Sequence, residues 1–305
     1  PLFHHDSYGF RPKRSAHDAI RRIRELHQQG YNQVLDADIQ GFFDAIPHAV
    51  VMRGLANVVA DGNILRLVER FLKAGVMEAG SYQPTTVGTP QGGVVSPLLA
   101  NIALNFLDWQ LDAVGYRFVR YADDFVVLCQ SKHQAQEAHE TVQTIIADLG
   151  LTLSAEKTKV TTFREGFDFL GFRLGPQTLT VRLKSVEKFK DNIRQATRRS
   201  HNLDAAVIGR LNAKVRGFAR YFAVPGSTCV LQFRKLDEWL RRRLRCMRYK
   251  RKSGQDNRRM PNRHIRRRGV AFLSDYLPDA NGEWNLLPSR GNFGGVARCG
   301  KAARR

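Results

Sequence analysis

The sequence predicts an α+β domain followed by a small all-helical bundle and a basic tail. Three observations predict it. Strand-like and helix-like periodicities alternate from residue 1 to about 175. Three amphipathic helical stretches then fill 186–248. The charge is also split: residues 1–180 carry 17 Lys+Arg against 19 Asp+Glu, while 181–305 carry 32 against 9. A near-neutral first part joined to a second part of net +23 points to a polyanionic partner, most plausibly nucleic acid.

In chain order, Ser15 reads as the N-cap of a helix through about Gln29, with Ala19, Ile20, Ile23 and Leu26 on one face. Val34 and Leu35 open a strand, Asp38 stands at its end, and Phe42-Phe43 follow. Asp36 lies two residues before Asp38, so in a strand both point to one face, and geometry does not choose between them. Apolar residues at helical spacing run from Pro47 to about Gly75, interrupted at Gly62. Gly88-Thr89-Pro90-Gln91-Gly92-Gly93 is a close-approach turn ahead of a helix from Pro97 to about Val114. Its glycines let a backbone approach a nucleotide, and Gln91 can hydrogen-bond it without adding charge.

Arg117 to Leu128 reads as strand, tight turn, strand, with Asp123-Asp124 at the tip. Lys132 to Gly150 is an amphipathic helix, Glu156 to Val160 leads into another strand, and Phe167 to Leu174 is an aromatic-rich hairpin. Gly175-Pro176 marks a boundary. Helices are expected over Val186–Arg199, Ala205–Phe222 and Leu231–Arg248, and Lys250 to Gly269 reads as densely basic and flexible when unbound. The expected division is 1–175, 176–250 and a basic extension, 251–305.

The chemistry is carried by the acids. Two adjacent carboxylates at the tip of an apolar hairpin repel each other and call for a cation. Hard divalent cations such as Mg²⁺ take oxygen ligands. Bringing Asp38 beside Asp123 and Asp124 gives three acids around a metal pair, an arrangement that activates a hydroxyl and stabilises a leaving phosphate oxygen.

Tyr121-Ala122-Asp123-Asp124 resembles the catalytic box of reverse transcriptases. Ser7-Tyr8-Gly9-Phe10-Arg11-Pro12, Gly88-Thr89-Pro90-Gln91-Gly92-Gly93, Phe169-Leu170-Gly171-Phe172 and the 211–222 segment resemble, in order, motifs of the bacterial group II intron-encoded reverse transcriptase/maturase family. The resemblance implies a palm with partial fingers, then a thumb/maturase bundle. It selects Asp38 over Asp36, because the family's metal ligand directly precedes an Ile, and it assigns the Ile39 carbonyl to the same metal. It implies two Mg²⁺, with Mn²⁺ able to substitute, held by Asp38, Asp123 and Asp124. Phe43 falls at the steric-gate position, Gln91 and Gly92 lie along the incoming dNTP, and Lys157 is a candidate phosphate contact. Arg11, Lys13, Arg14 and Gly171 are candidates for template and primer, and Arg216, Arg220, Arg241, Arg242 and Arg245 for intron RNA. The implied activity is RNA-directed DNA polymerisation with maturase action. A non-catalytic splicing cofactor and a retron or CRISPR-associated enzyme are the rivals.

Family members carry about one more small domain before Ser7-Tyr8-Gly9-Phe10-Arg11-Pro12, and this chain opens on Pro1 rather than Met, so an N-terminally truncated fragment is expected. Four cysteines without a Cys-x-x-Cys pair suggest neither a zinc ribbon nor a disulfide framework, and with the resemblance imply a bacterial cytoplasmic setting. No apolar run approaches the roughly 18 residues of a membrane helix, and no His-Asn-His pattern suggests a second nuclease domain.

Overall fold

A computed structural model describes residues 2–74, 87–89, 93–251 and 255–277, with backbone alone for 76–78 and 81–83. The chain divides into two compact units, Pro1–Ser185 and Val186–Arg305.

In the first unit α1 (Ala16–Gln28) starts on a capping box, the Ser15 hydroxyl accepting from the Asp18 amide and the Asp18 carboxylate from the Ser15 amide. Then come β1 (Gln33–Ala37), the one-turn α2 (Phe42–Ala45), α3 (His48–Ala56) and α4 (Gly62–Lys73). Asp61 caps α4, so the break expected at Gly62 is a helix-to-helix junction. The hairpin β2 (Val76–Glu78) and β3 (Ser81–Gln83) leads to α5 (Ser96–Ala113), β4 (Arg117–Tyr121), β5 (Asp124–Cys129), α6 (Lys132–Asp148) and β6 (Lys159–Thr162). The unit closes with β7 (Phe167–Phe169), β8 (Phe172–Leu174) and β9 (Leu179–Val181).

The main sheet has the order β4-β5-β1-β6, with every neighbour antiparallel. The register sorts its side chains onto two faces. On one, Leu35, Ala37, Phe118, Phe125, Val127 and Cys129 pack with Leu99, Ala103 and Leu107 of α5 and Ala138 and Val142 of α6. Each fully buried large apolar side chain contributes about 1.5–3 kcal/mol, so this face anchors the unit. On the other, Val34, Val119, Val126 and Leu128 are fully buried, with α1 lying against β4 and β5. Asp36, Tyr121 and Asp124 share that second face, and it ends at the acidic hairpin tip.

The second unit takes in most of α7 (Leu183–Ala196), then α8 (Ala205–Phe222) and α9 (Val230–Tyr249). Phe218 sits among Phe189, Phe222 and Phe233, ring centroids 4.3, 4.8 and 6.1 Å away. The Arg-rich face of α9 is left outside this core. Two expectations need correction here. The Gly175-Pro176 turn joins β8 to β9 within one sheet, so the break between units falls about ten residues later. Nor is the stretch after Lys250 simply a flexible tail. Over 255–277 it forms α10 (Asp256–Arg259), α11 (Asn262–Arg267) and a 3-10 turn, Leu273–Tyr276, and buries Met260, Ile265, Phe272 and Leu273. Those four apolar residues are spaced too irregularly among the arginines to register as a periodic face.

Buried Asp237 of α9 ties this segment down, accepting from the amides of Leu273 at 2.8 Å and Ser274 at 3.0 Å. Asp237→Ala leaves both amides without that acceptor at a cost of about 1–3 kcal/mol. The expected result is a lower urea midpoint and new proteolytic cleavage within 250–277, with the 1–185 fragment pattern unchanged.

Candidate active site

The tip of the β4–β5 hairpin is a two-residue turn, Ala122-Asp123, between the paired residues Tyr121 and Asp124. Ala122 has φ +60, a conformation that hairpins of this length ordinarily assign to glycine. A non-glycine residue there stores about 1–3 kcal/mol of strain and persists only if its surroundings enforce it. They do. Arg120, fully buried, sends one guanidinium nitrogen to the Ala122 carbonyl at 2.8 Å and to Asn101 Oδ1 at 2.9 Å. Its remaining edge forms a bidentate pair with buried Asp108, Nε to Oδ1 at 2.7 Å.

Asp38 follows β1 directly. The β1–β5 ladder runs to Ala37 opposite Phe125, so one step further sets Asp38 opposite Asp124. Its backbone is held from the other side: the Asp38 carbonyl accepts from the Ser154 amide at 2.8 Å, and the Gln40 amide donates to Thr152 at 2.9 Å. These flanking bonds make the Ile39–Leu153 bridge and leave the Ile39 carbonyl outside it. Asp38 thus follows directly on the strand paired with β5, whose first residue is Asp124, beside the Ala122-Asp123 turn.

The electrostatics show the acids sensing one another. Burial first, and the Asp38 charge after it, hold the Asp123 carboxyl above the ordinary range. Burial, then Asp123 and Asp38, do the same to Asp124. Asp36 is pushed up to about 6, chiefly by burial. Two cations work in the opposite direction on Asp124, Arg182 and Lys157. The Lys157 ammonium stands 3.0 Å from Asp38 Oδ1 and 3.3 Å from Oδ2, and this bond raises its own pKa. Three carboxylates, two of them burdened by burial and like charge, suit a hard divalent cation, and the lysine marks where positive charge is already drawn. Among the described residues the cluster of His, Cys, Asp or Glu that closes to within 4.8 Å is His4/His5/Asp6. Within it the Asp6 amide donates to His4 Nδ1 at 3.1 Å, and Arg22 Nε donates to Asp6 at 3.1 Å. Asp38, Asp123 and Asp124 do not close to that limit, so a single ion gripped by all three is not preformed.

With this geometry in view, comparison decides the family. A profile described as "Reverse transcriptase (RNA-dependent DNA polymerase)" matches residues 1–174. The chain belongs to the reverse transcriptase family. Residues 186–268 match "Group II intron, maturase-specific domain", which makes it a group II intron-encoded reverse transcriptase/maturase by family. Among curated relatives, "Protein YkfC" of Escherichia coli is 33% identical over 213 residues, 56% of this chain and 55% of that protein. "Group II intron-encoded protein LtrA" of Lactococcus lactis is 37% identical over 161 residues, 52% of this chain and 26% of that protein. The matches therefore span only about half or less of these relatives. Among solved structures, telomerase from Candida tropicalis in complex with a fragment of telomeric RNA has a TM-score of 0.51 at 11% identity. That match covers 77% of this chain and 44% of the telomerase and supports the fold alone.

The Phe169-Leu170-Gly171-Phe172 motif forms the β7–β8 hairpin, with Leu170 (φ +48) and Gly171 (φ +83) as its two-residue turn. The Gly171 carbonyl accepts from the Arg182 amide at 3.0 Å, which ties β9's exit to that turn. Phe42 is the core member of its aromatic pair, and Phe43 is half-buried with its carbonyl accepting from the Thr89 amide at 2.7 Å. Gly88 (φ +83) lies over α2 so closely that a Cβ would meet the Asp44 carbonyl oxygen at 2.7 Å. Gln91 and Gly92 lie outside the described residues.

Arg11 departs from the expectation of a template contact. Its guanidinium turns inward, to the carbonyls of His4 and Ser7, the latter at 2.7 Å, because the tight 3–12 loop leaves those acceptors unpaired by any ladder. Arg14 stacks over Tyr8 at 5.2 Å, and Lys13, with φ +60, is exposed. Arg216, Arg220 and Arg242 are exposed on the second unit, whereas Arg245 is half-buried, donating to the Met260 carbonyl at 2.9 Å and to Asn262 at 2.8 Å. Arg241 lies over the Phe272 ring at 5.4 Å. The sequence reading missed Asn101, Asp108, Arg120 and Arg182. The first two were legible as polar residues seven apart in an apolar helix, and Arg120 as a charge among inward-facing strand positions.

A β-branched residue tolerates the Ala122 conformation far less than Ala does. Ala122→Val is expected to lower the stability of the first unit by about 1–3 kcal/mol. Thermal unfolding checks this, with Ala122→Gly as the partner variant that matches or exceeds the parent.

Proposed function

We propose that this chain carries an RNA-directed DNA polymerase site working by two-metal nucleotidyl transfer, and that its second unit binds group II intron RNA and assists its splicing. The observation that carries the first half is the meeting of Asp38, after β1, with Asp123 and Asp124 at the neighbouring hairpin tip. Asp38, Asp123, Asp124 and the Ile39 carbonyl would hold two Mg²⁺, with Mn²⁺ able to substitute. When bound, the ions lower the pKa of a primer 3′-hydroxyl and stabilise the departing pyrophosphate.

The remaining roles belong to the chain's own side chains. Lys157 and Arg182, the cations that act on Asp124, attract the phosphates of an incoming dNTP. Lys157 then leaves Asp38 as metal and nucleotide arrive. Phe43 crowds the ribose 2′ position, and the Gly171 turn approaches the primer backbone. Lys13 and Arg14 meet template phosphates from the start of α1. In this arrangement catalysis is mainly positioning and electrostatic stabilisation.

The maturase half rests on the matched domain at 186–268 and on the arginines of α8 and α9. Arg216, Arg220, Arg241, Arg242 and Arg245 form the RNA-binding set, with Arg241, Arg242 and Arg245 lining a polar cleft with Asn257 and Asn262. Arginine suits this task because its planar fork matches phosphate. We place the protein in a bacterial cytoplasm, as its two bacterial relatives suggest. Among the described residues no helix is long and apolar enough to cross a membrane.

Two measurements test this reading. Asp123→Ala and Asp124→Ala are each expected to lower Mg²⁺-dependent primer extension on an RNA template more than about 100-fold, since even outer-shell changes at metal sites cost 10–100-fold. Retained extension refutes the site. The same variants should still promote intron splicing; loss of splicing together with extension would refute the separate RNA-binding role. Arg242→Ala is expected to weaken intron RNA binding and to reduce the slope of log affinity against log salt by about 1.

A further inference from the structure

The Ser-Tyr-Gly-Phe-Arg-Pro motif lies against the catalytic turn. A Cβ built on Gly9 would meet the Ala122 amide nitrogen at 2.3 Å, the Tyr121 carbonyl carbon at 3.0 Å and Ala122 Cα at 3.1 Å. Gly9 is not in a left-handed conformation, so its backbone would accept any residue; only the turn excludes one. Two further bonds dock this loop. The Tyr8 amide donates to the Arg120 carbonyl at 2.8 Å, and the Arg120 amide to the Asp6 carbonyl at 3.0 Å. Asn101 then spans the gap between loop and turn. Its Nδ2 donates to the Gly9 carbonyl at 2.8 Å, and its Oδ1 accepts from the Arg120 nitrogen that also holds the Ala122 carbonyl.

We propose that Gly9 and Asn101 are positioning residues for the metal-binding turn. They form a bracket, with Arg120 as its hinge pin, that presses the Ala122-Asp123 backbone into its strained conformation and so sets where the Asp123 and Asp124 carboxylates stand. Gly9 closes the outer side by contact, and Asn101 closes the inner side by hydrogen bonds. Asp108 neutralises Arg120 and keeps the guanidinium oriented. The bracket touches neither substrate nor ion. It acts through the turn alone, so its loss should loosen the ligand geometry while leaving the sheet, whose ladder begins at Tyr121–Asp124, in place.

This inference rests on the proposed metal role of the three aspartates, and the experiment separates the two. Mn²⁺ is titrated into the full chain and followed by electron paramagnetic resonance, alongside amide hydrogen exchange over 121–125 and thermal unfolding, for the parent, Asp123→Asn, Gly9→Ala and Asn101→Leu. The expected result is Mn²⁺ affinity at least about tenfold weaker in both bracket variants, the range seen when outer-shell partners of metal ligands are removed. It is accompanied by faster exchange at 121–125 and a cooperative melt. Unchanged Mn²⁺ affinity in a folded Gly9→Ala or Asn101→Leu protein, while Asp123→Asn loses it, overturns the bracket and spares the metal site. Unchanged affinity in Asp123→Asn overturns both. Should Gly9→Ala fail to fold, Asn101→Leu, which keeps the branched shape of the side chain while removing both hydrogen bonds, decides alone.

Discussion

The buried Arg120–Asp108 pair is the constraint on which the first unit depends. Neither side chain reaches solvent, and both edges of the guanidinium are in use. Removing one partner of such a pair strands a charge and costs about 3–5 kcal/mol, whereas the intact pair contributes little net stability. Its value here is specificity. It joins β4 to α5, and through Asn101 and the β4 backbone it joins both to the N-terminal loop. Three separate stretches of sequence, the N-terminal loop, α5 and the β4 hairpin, meet around one residue, three positions before Asp123. An apolar residue could fill the same volume, but it could not hold the carbonyl of a strained alanine.

The two sheet faces explain why this device lies where it does. Arg120 points to the face covered by α5 and α6, while Asp124 and Tyr121 point to the opposite face. The acids therefore stay open to a ligand, and the network that steadies them is sealed from water. Inside the low-dielectric core those hydrogen bonds are stronger and cost no reorganisation when substrate arrives. The second unit repeats the logic with different parts. Buried Asp237 satisfies two amides and so fixes the 255–277 segment against α9.

Much of this was legible in the sequence. Helix α8 was expected over Ala205–Phe222, where it lies, because its apolar residues keep helical spacing. The hairpins were readable from alternation and turn residues. What was not legible has physical causes. The Arg120 network depends on which way a strand residue points and on what a helix brings over it, neither of which a linear pattern records. Arg11 read as a free cation because a sequence does not show the unpaired carbonyls of its own loop. The folded 255–277 segment hid behind its charge, since its seven buried apolar residues are interspersed with many arginines.

The choice between Asp36 and Asp38, open on alternation alone, turns on the ladder. Asp36 lies inside it, opposite Val126 on one side and Lys159 on the other. Burial raises its carboxyl to about 6, and Lys159 is the charge that offsets this. Asp36 thus has its cation already, supplied by the neighbouring strand. Asp38 stands one step past the end of the ladder, where the neighbouring strand offers Asp124 instead of a lysine, and its partner Lys157 comes from an exposed loop on a flexible stem. A lysine with its charge in water is displaced at little cost, whereas a cross-strand partner is fixed by the sheet. Of two acids on one face, the one whose counter-charge can leave is the one we propose as the metal ligand.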